Sequence, residues 1–302
     1  MKRFFTLALC LLALPCPATQ AQRMAAPAPD APLPAIPALL HDVEIHQMRN
    51  VIVARNYIVH ATQTVHNANG KNTVLEMEFY SINGVMIRHV LSRDGKPLPP
   101  EDADKEQKHL EKAVNKANKR KARAERKDQE TDSDGGKLVP AARLLELSDI
   151  SHVRRDTLRG RSVIVFDFTG RRNADSHGIF ESILKSVNGT AWIDEQDHEL
   201  AKIVAVVPEN LRIGWGLLAN ISKGSTVTAE NTCVRGEVWL PLRYSGQGSL
   251  HKFLFDKVID GSLSVEYTDY RKFGTSVTIR PATDYSDAAP ESAPPPQPAP
   301  QP

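Results

Sequence analysis

The sequence predicts an α+β fold: one large, curled antiparallel β-sheet with a few helices covering its concave face. Three observations predict it. Strand-like runs recur at roughly ten-residue spacing with tight turns between them, the pattern of consecutive antiparallel pairing. A single sheet of so many strands must curl. Helical periodicity is confined to a few segments, enough to cover one face.

Both ends of the 302-residue chain lie outside this fold. Lys2 and Arg3 precede the apolar run Phe4–Leu14, and Thr19-Gln20-Ala21 offers small residues for cleavage, so residues 1–21 read as a secretory signal peptide. Cys16 follows Pro15 rather than a small residue, which argues against a lipid anchor. Residues 22–37 carry five prolines and residues 281–302 carry eight, the compositions of an extended linker and tail. The folded domain is expected over 38–280.

In chain order, Pro37–Asn50 reads as an amphipathic helix with Leu40 and Val43 on one side and Ile36 leading in. Asn56–Val65, Thr73–Ile82 and Val85–Leu91 read as a three-strand meander. Its signals are the turn Asn67–Gly70 and the hairpin dipeptide Asn83-Gly84. In the second strand Leu75, Met77 and Phe79 share a face, opposite Glu76 and Glu78.

Residues 101–134 differ in kind. Acids cluster at Glu101, Asp102 and Asp104, and ten Lys or Arg lie from Lys105 to Lys127. Acid first and base later complements a helix dipole, so an exposed helix is expected, with a thin apolar stripe at Leu110, Val114 and Ala117. It reads as a solvated insertion between strands, or as a basic arm for phosphate head groups or an acidic partner.

Val139–Leu147 reads as a short helix. Ser151–Leu158 and Arg161–Thr169 form a hairpin around Arg159-Gly160, with Ile164, Phe166 and Phe168 on one face. Asp175–Val187 is a short amphipathic helix with Ile179, Ile183 and Leu184 inward. Thr190–Ile193 and Leu200–Val207 flank a polar break at Asp194–Glu199 and form the hairpin around which the sheet is organised. Further strands are expected at Leu211–Ser222, Ser225–Asn231, Gly236–Ser245, Ser249–Val258 and Gly261–Tyr267. Pro241 lacks a ladder donor and implies an edge or a bulge.

Charge and motifs exclude several function classes. Removing Lys2 and Arg3 takes the formal net charge from +2 to zero, with 36 basic and 36 acidic residues, so nothing draws the mature chain to nucleic acid. Cys233 is left alone, which rules out an internal disulfide, and no further run is long enough for a membrane span of ~18 apolar residues. His41 and His46 are off the spacing for two ligands on one helical face, and Asp194, Asp197, His198 and Glu199 fit a polar turn better than a calcium loop. Gly214-Trp215-Gly216 lacks the helix and lysine of a nucleotide loop, and no nucleophile-elbow, zinc-protease or Cys-x-x-Cys motif occurs. No catalytic residue, metal site or cofactor is expected. Arg154, Arg155, Arg159, Arg161, Arg171 and Arg172 read as solvated strand ends, with Arg159 and Arg161 the two that could meet an anionic head group.

The leading helix, the meander, the helical interruption, the Trp192-Ile193-Asp194 hairpin and the ending Val265-Glu266-Tyr267-Thr268-Asp269-Tyr270-Arg271-Lys272-Phe273 together resemble the LolA-like superfamily, over about residues 36–273. That superfamily includes the periplasmic lipoprotein carrier and envelope-stress sensor domains. The resemblance implies an unclosed half-barrel whose concave apolar face is capped by helices and binds acyl chains. The chain departs from the compact carrier in its 101–134 insertion and proline-rich ends, so the carrier's cargo does not transfer. The expectation is an exported, periplasmic, non-enzymatic protein that binds a lipid, acyl chain or lipidated partner. Leu75, Met77, Phe79, Ile164, Phe166, Phe168, Trp192 and Ile203 are the candidate lining, or else ordinary core. The alternative is a protein-interaction or envelope-sensing scaffold that binds an envelope protein and no small molecule.

Overall fold

The computed structural model describes residues 31–127, 143–213, 219–252 and 257–273. The signal peptide, most of the linker, the acidic end of the charged segment, Val139, Gly214-Trp215-Gly216 and the proline-rich tail lie outside the described residues.

Helix α1 (Ile36–Ala54) opens the domain. The meander follows as β1 (Tyr57–Asn67), β2 (Asn72–Ile82) and β3 (Val85–Arg93), with a two-residue β4 (Lys96–Pro97) before the charged helix α2 (Pro100–Lys127). After α3 (Arg143–Leu147) come the hairpin β5 (Ser148–Leu158) and β6 (Arg161–Gly170), then α4 (Gly178–Leu184) and the hairpin β7 (Asn188–Asp194) and β8 (Leu200–Val206). The last strands are β9 (Leu211–Ile213), β10 (Ala219–Ile221), β11 (Thr226–Val234), β12 (Val238–Lys252) and β13 (Lys257–Lys272).

One sheet holds them all, in the order β4-β3-β2-β1-β13-β12-β11-β8-β7-β6-β5, with β10 on β12 and β9 on β10. Every pairing is antiparallel. Strands β4 and β5 end the path without meeting, so the sheet is not closed. The last strand pairs with the first, Ala61 opposite Tyr267, which joins the meander to the C-terminal half.

Strand alternation sorts side chains onto two faces. The inner face carries Phe79, Met77, Val59 and Ala61 in the meander, Tyr267 and Val265 on β13, and Ile164, Phe166, Phe168, Ala191, Ile193 and Ile203 on β6 to β8. Helices α1, α3 and α4 cover it. Leu39, Leu40 and Val43 of α1 pack on Ile164, Phe166, Ala191 and Ile193. Leu144 of α3 and Ile183 and Leu184 of α4 pack around Phe168, Val187 and Val207. The side chain of Ile179 lies outside the described residues.

Helix α2 takes the other face. Leu110, Ala113 and Ala117 lie on Tyr80, Val85 and Ile87, and Ala117 is fully buried. Glu106 accepts a hydrogen bond from the Val90 N–H at 2.8 Å. The stripe is thin but it closes a real cluster, so α2 belongs to the domain rather than to solvent alone.

Several expected boundaries shift. Leu211–Ser222 is a pair of short strands rather than one long strand. The break expected between Ser245 and Ser249 falls instead within the 15-residue β12, and the expected strand Ser249–Val258 is divided between the end of β12 and the start of the 16-residue β13. Gly248 (φ 145°) and Gly261 (φ 138°) are directly opposed in that ladder. A Cβ on Gly261 would come within 1.9 Å of the His66 carbonyl oxygen, and one on Gly248 within 2.1 Å of Ser225 Oγ. The glycines therefore mark close approach within long strands, not reversals. Pro241 lies on an interior strand, and the register shifts opposite it between Glu230 and Asn231, the bulge its missing donor demands.

Candidate functional site

Strands β12 and β13 pair from Arg243 and Glu266 onward and diverge before that point. There the backbone of Trp239 finds its partner in a helix: Asn50 of α1 accepts from the Trp239 N–H and donates to its carbonyl, both at 2.6 Å. One side chain thus replaces a missing strand and anchors the second half of α1 above the sheet.

Between that half-helix and the inner face lies a cavity of about 400 Å³. Gln47, Asn50, Val51 and Ala54 form its roof. Its floor follows the sheet order: Met86 on β3, Phe79 on β2, Tyr57 and Val59 on β1, Tyr267 on β13, Trp239, Leu240 and Pro241 on β12, and Asn231 on β11. Glu199, at the entry to β8, completes the far end. The cavity is a slot across the strands, apolar for most of its course. Met86 is half exposed at one end, whereas Glu199 is 6% exposed at the other.

Glu199 is out of place in such a setting. Its carboxylate makes no hydrogen bond among the described residues, and burial, with a smaller contribution from Asp197, pushes its pKa up to about 7. The folded state therefore keeps a proton that the unfolded chain has already lost between the ordinary carboxylate range and pH 7. Stability is lost as pH rises through that window, and the cost is complete above it. Glu199→Gln is expected to stabilise the protein at pH 8 by on the order of 2 kcal/mol and to change little at pH 5, measured by urea denaturation at the two pH values.

The turn that delivers Glu199 is rigidly held. Asp194 is buried and accepts from Arg161 Nε at 2.5 Å and Arg161 Nη2 at 2.8 Å. It also accepts from the backbone N–H groups of Gln196 and Asp197. Asp197 accepts from Arg161 at 2.7 Å and from the Trp239 indole N–H at 2.9 Å, and the Arg161 guanidinium lies over that indole. These carboxylates are committed to the turn. Arg155 and Arg161 are half-buried in ion pairs, which corrects their reading as solvated, whereas Arg154, Arg159, Arg171 and Arg172 are exposed at their strand ends as expected. Arg155 pairs with Glu195, Arg159 with Glu230, Arg171 with Asp149 and Arg172 with Glu209. His41 is exposed, while His46 meets His198 edge to face at 5.6 Å.

Of the eight residues expected to line a cavity, Phe79 lines this one and touches Tyr267 at a ring-centroid distance of 5.9 Å. Leu75 and Met77 lie beside it on the same face of β2. Ile164 and Phe166 are buried core beneath α1, Phe168 is core beneath α3 and α4, and Ile203 packs against it. Trp192 is a correction. It sits between Ala191 and Ile193, both inward, so it must point outward, where it packs on Val163, Val165 and Ala201 under Lys202. Sequence reasoning missed Tyr57, Trp239 and Glu199. Alternation in Val238–Tyr244 flags Leu240, but nothing local shows that β12 and β13 part beside it.

No protein-family profile matches the chain, and no curated protein matches it. Solved structures do. One is a domain provisionally named as outer membrane lipoprotein-sorting, from Vibrio parahaemolyticus, at 9% identity over 79% of this chain and 93% of that one, with a TM-score of 0.37. A LolA superfamily protein from Nitrosomonas europaea is similar at 9% identity over 78% and 94%, with a TM-score of 0.32. A Pseudomonas aeruginosa MucA/MucB complex contains a chain similar at 12% identity over 77% and 99%, with a TM-score of 0.25. The superfamily that the sequence resembles is thus among its structural neighbours. At these TM-scores the likeness carries no argument about ligand or partner.

Proposed function

We propose that the chain is an exported, periplasmic, non-enzymatic protein that holds a lipid or acyl chain in the slot beneath α1. The observation that carries this is the slot itself. Its volume of about 400 Å³ lies in the range of small-molecule sites, its floor is apolar from β3 to β12, and one end is open beside Met86. An alkyl chain laid across the strands would cover Phe79, Val59, Tyr267 and Leu240 in turn. No helix among the described residues is long and apolar enough to cross a membrane, and the amino-terminal signal supports export.

Native mass spectrometry of the mature protein from a periplasmic extract, with organic extraction, is expected to show a co-purifying lipid or acylated species. Phe79→Asp puts a charge on the slot floor and is expected to abolish retention and uptake of a fluorescent fatty alcohol. Glu78→Gln, on the other face, is expected to leave both intact. A clean apo mass with no uptake, or equal loss in both variants, overturns the reading.

A second reading, a scaffold for an envelope partner, is favoured by one surface. Lys112, Lys116 and Lys119 line one side of α2 and form no ion pair among the described residues. Deleting 101–134 would also uncover Tyr80 and Ile87, so triple Lys→Gln substitution with a pull-down is the cleaner test.

A further inference from the structure

The floor of the slot is apolar, but its buried end carries polar groups, the Glu199 carboxylate foremost. Glu199 is 6% exposed, lines the slot, and its side chain makes no hydrogen bond among the described residues. Asn231 spends one of its two amide N–H groups on the Leu200 carbonyl at 2.8 Å, which leaves its Oδ1 and the second N–H to offer. The Arg161 guanidinium, which holds the turn, is already engaged by Asp194 and Asp197. Asn50 is engaged at both its oxygen and its amide nitrogen by the Trp239 backbone. The remaining polar roof group, the Gln47 amide, can donate or accept. Around this end the charged and titratable groups are Asp194, Asp197 and His198 of the turn, Asp42 and His46 of α1, and Arg161 of β6. With Glu195 of the turn and its partner Arg155 included, the acids outnumber the two arginines.

A buried carboxylate without a partner is costly, and a ligand that supplies both donors and positive charge removes that cost. An anionic head group would instead bring two carboxylates together. We propose that the Glu199 end is a head-group site for an aliphatic amine, whose ammonium sits against Glu199 and Asn231 while its alkyl chain lies along the floor towards Met86. This rests on the carrier reading of the same slot and names the ligand class within it.

The test compares three ligands of equal chain length: dodecylamine, dodecanol and dodecanoic acid. Each is titrated into the full mature protein by calorimetry at pH 8, below micelle formation. The amine is expected to bind at least tenfold more tightly than the alcohol, and the acid more weakly than either. Glu199→Gln is expected to bring the amine to within about threefold of the alcohol, with the alcohol still bound by both proteins. Alcohol binding in both proteins shows that the variant is folded and the slot intact. If the alcohol binds but the amine gains nothing over it, or keeps its advantage in Glu199→Gln, the head-group assignment is overturned and the carrier reading stands. If none of the three binds, both are overturned.

Discussion

Asp194→Ala is expected to destabilise the protein by about 3–5 kcal/mol, read as a lowered urea midpoint at unchanged slope. The carboxylate is 1% exposed and bonds Arg161 twice, so its removal leaves a cation that gave up part of its hydration for this partner. Two turn N–H groups, those of Gln196 and Asp197, lose their acceptor at the same time. Asp197→Asn, with its carboxyl partly exposed and no backbone N–H bonded to it in the turn, is expected to cost less than half as much. Equal losses would show that the turn is held by overall charge and not by the buried fork. Because this turn delivers Glu199, Asp194→Ala is also expected to weaken amine binding in whatever fraction stays folded.

Phe166→Ala is the second large effect, about 3–5 kcal/mol by the same measurement. Its ring is fully buried between β6 and α1, packed on Leu39, Leu40, Val43 and Ile193, and the site cannot collapse without moving a helix. Phe79 is the contrasting ring. It faces the slot and is already in contact with open space, so Phe79→Ala removes fewer contacts and leaves a larger slot rather than a new void. Its expected cost is roughly 1 kcal/mol, with a change in the ligand chain length preferred. The pair separates core from site. Similar losses at both positions would mean that the slot is filled by relaxation of α1.

The two rings look alike in the sequence: each is an aromatic on an alternating strand with an apolar partner two residues away. What distinguishes them is the path of α1. Its first half meets β6 and β7 through Leu39, Leu40 and Val43, while its second half is bonded by Asn50, rests Val53 and Ala54 on Tyr57, Val59, Val238 and Leu240, and leaves Gln47 and Val51 over the slot. The expected helix stops at Asn50, the very residue that makes the tether, and the four residues beyond it form the roof's end.

The strand parities and hairpin turns were determined by the sequence itself, because they depend on neighbours two to four residues apart. Asn83-Gly84 closes its turn with φ values of 50° and 75°, and β7 and β8 pair as their β-branched runs require. The outward turn of Trp192 follows from the same alternation once Ile193 is inward. Tertiary structure alone decided the rest. Close packing of β12 against the start of β11, and of β13 against β1, made Gly248, in an expected break, and Gly261, at an expected strand start, into contact points within long strands. Ion pairing over 33 residues made Asp194 and Arg161 a buried hub instead of two solvated charges. Divergence of β12 from β13 opened the slot, and desolvation at its end made Glu199 an ionisable group poised near neutrality. Each of these depends on groups far apart in the chain whose meeting no local pattern encodes, and the site is made of such meetings.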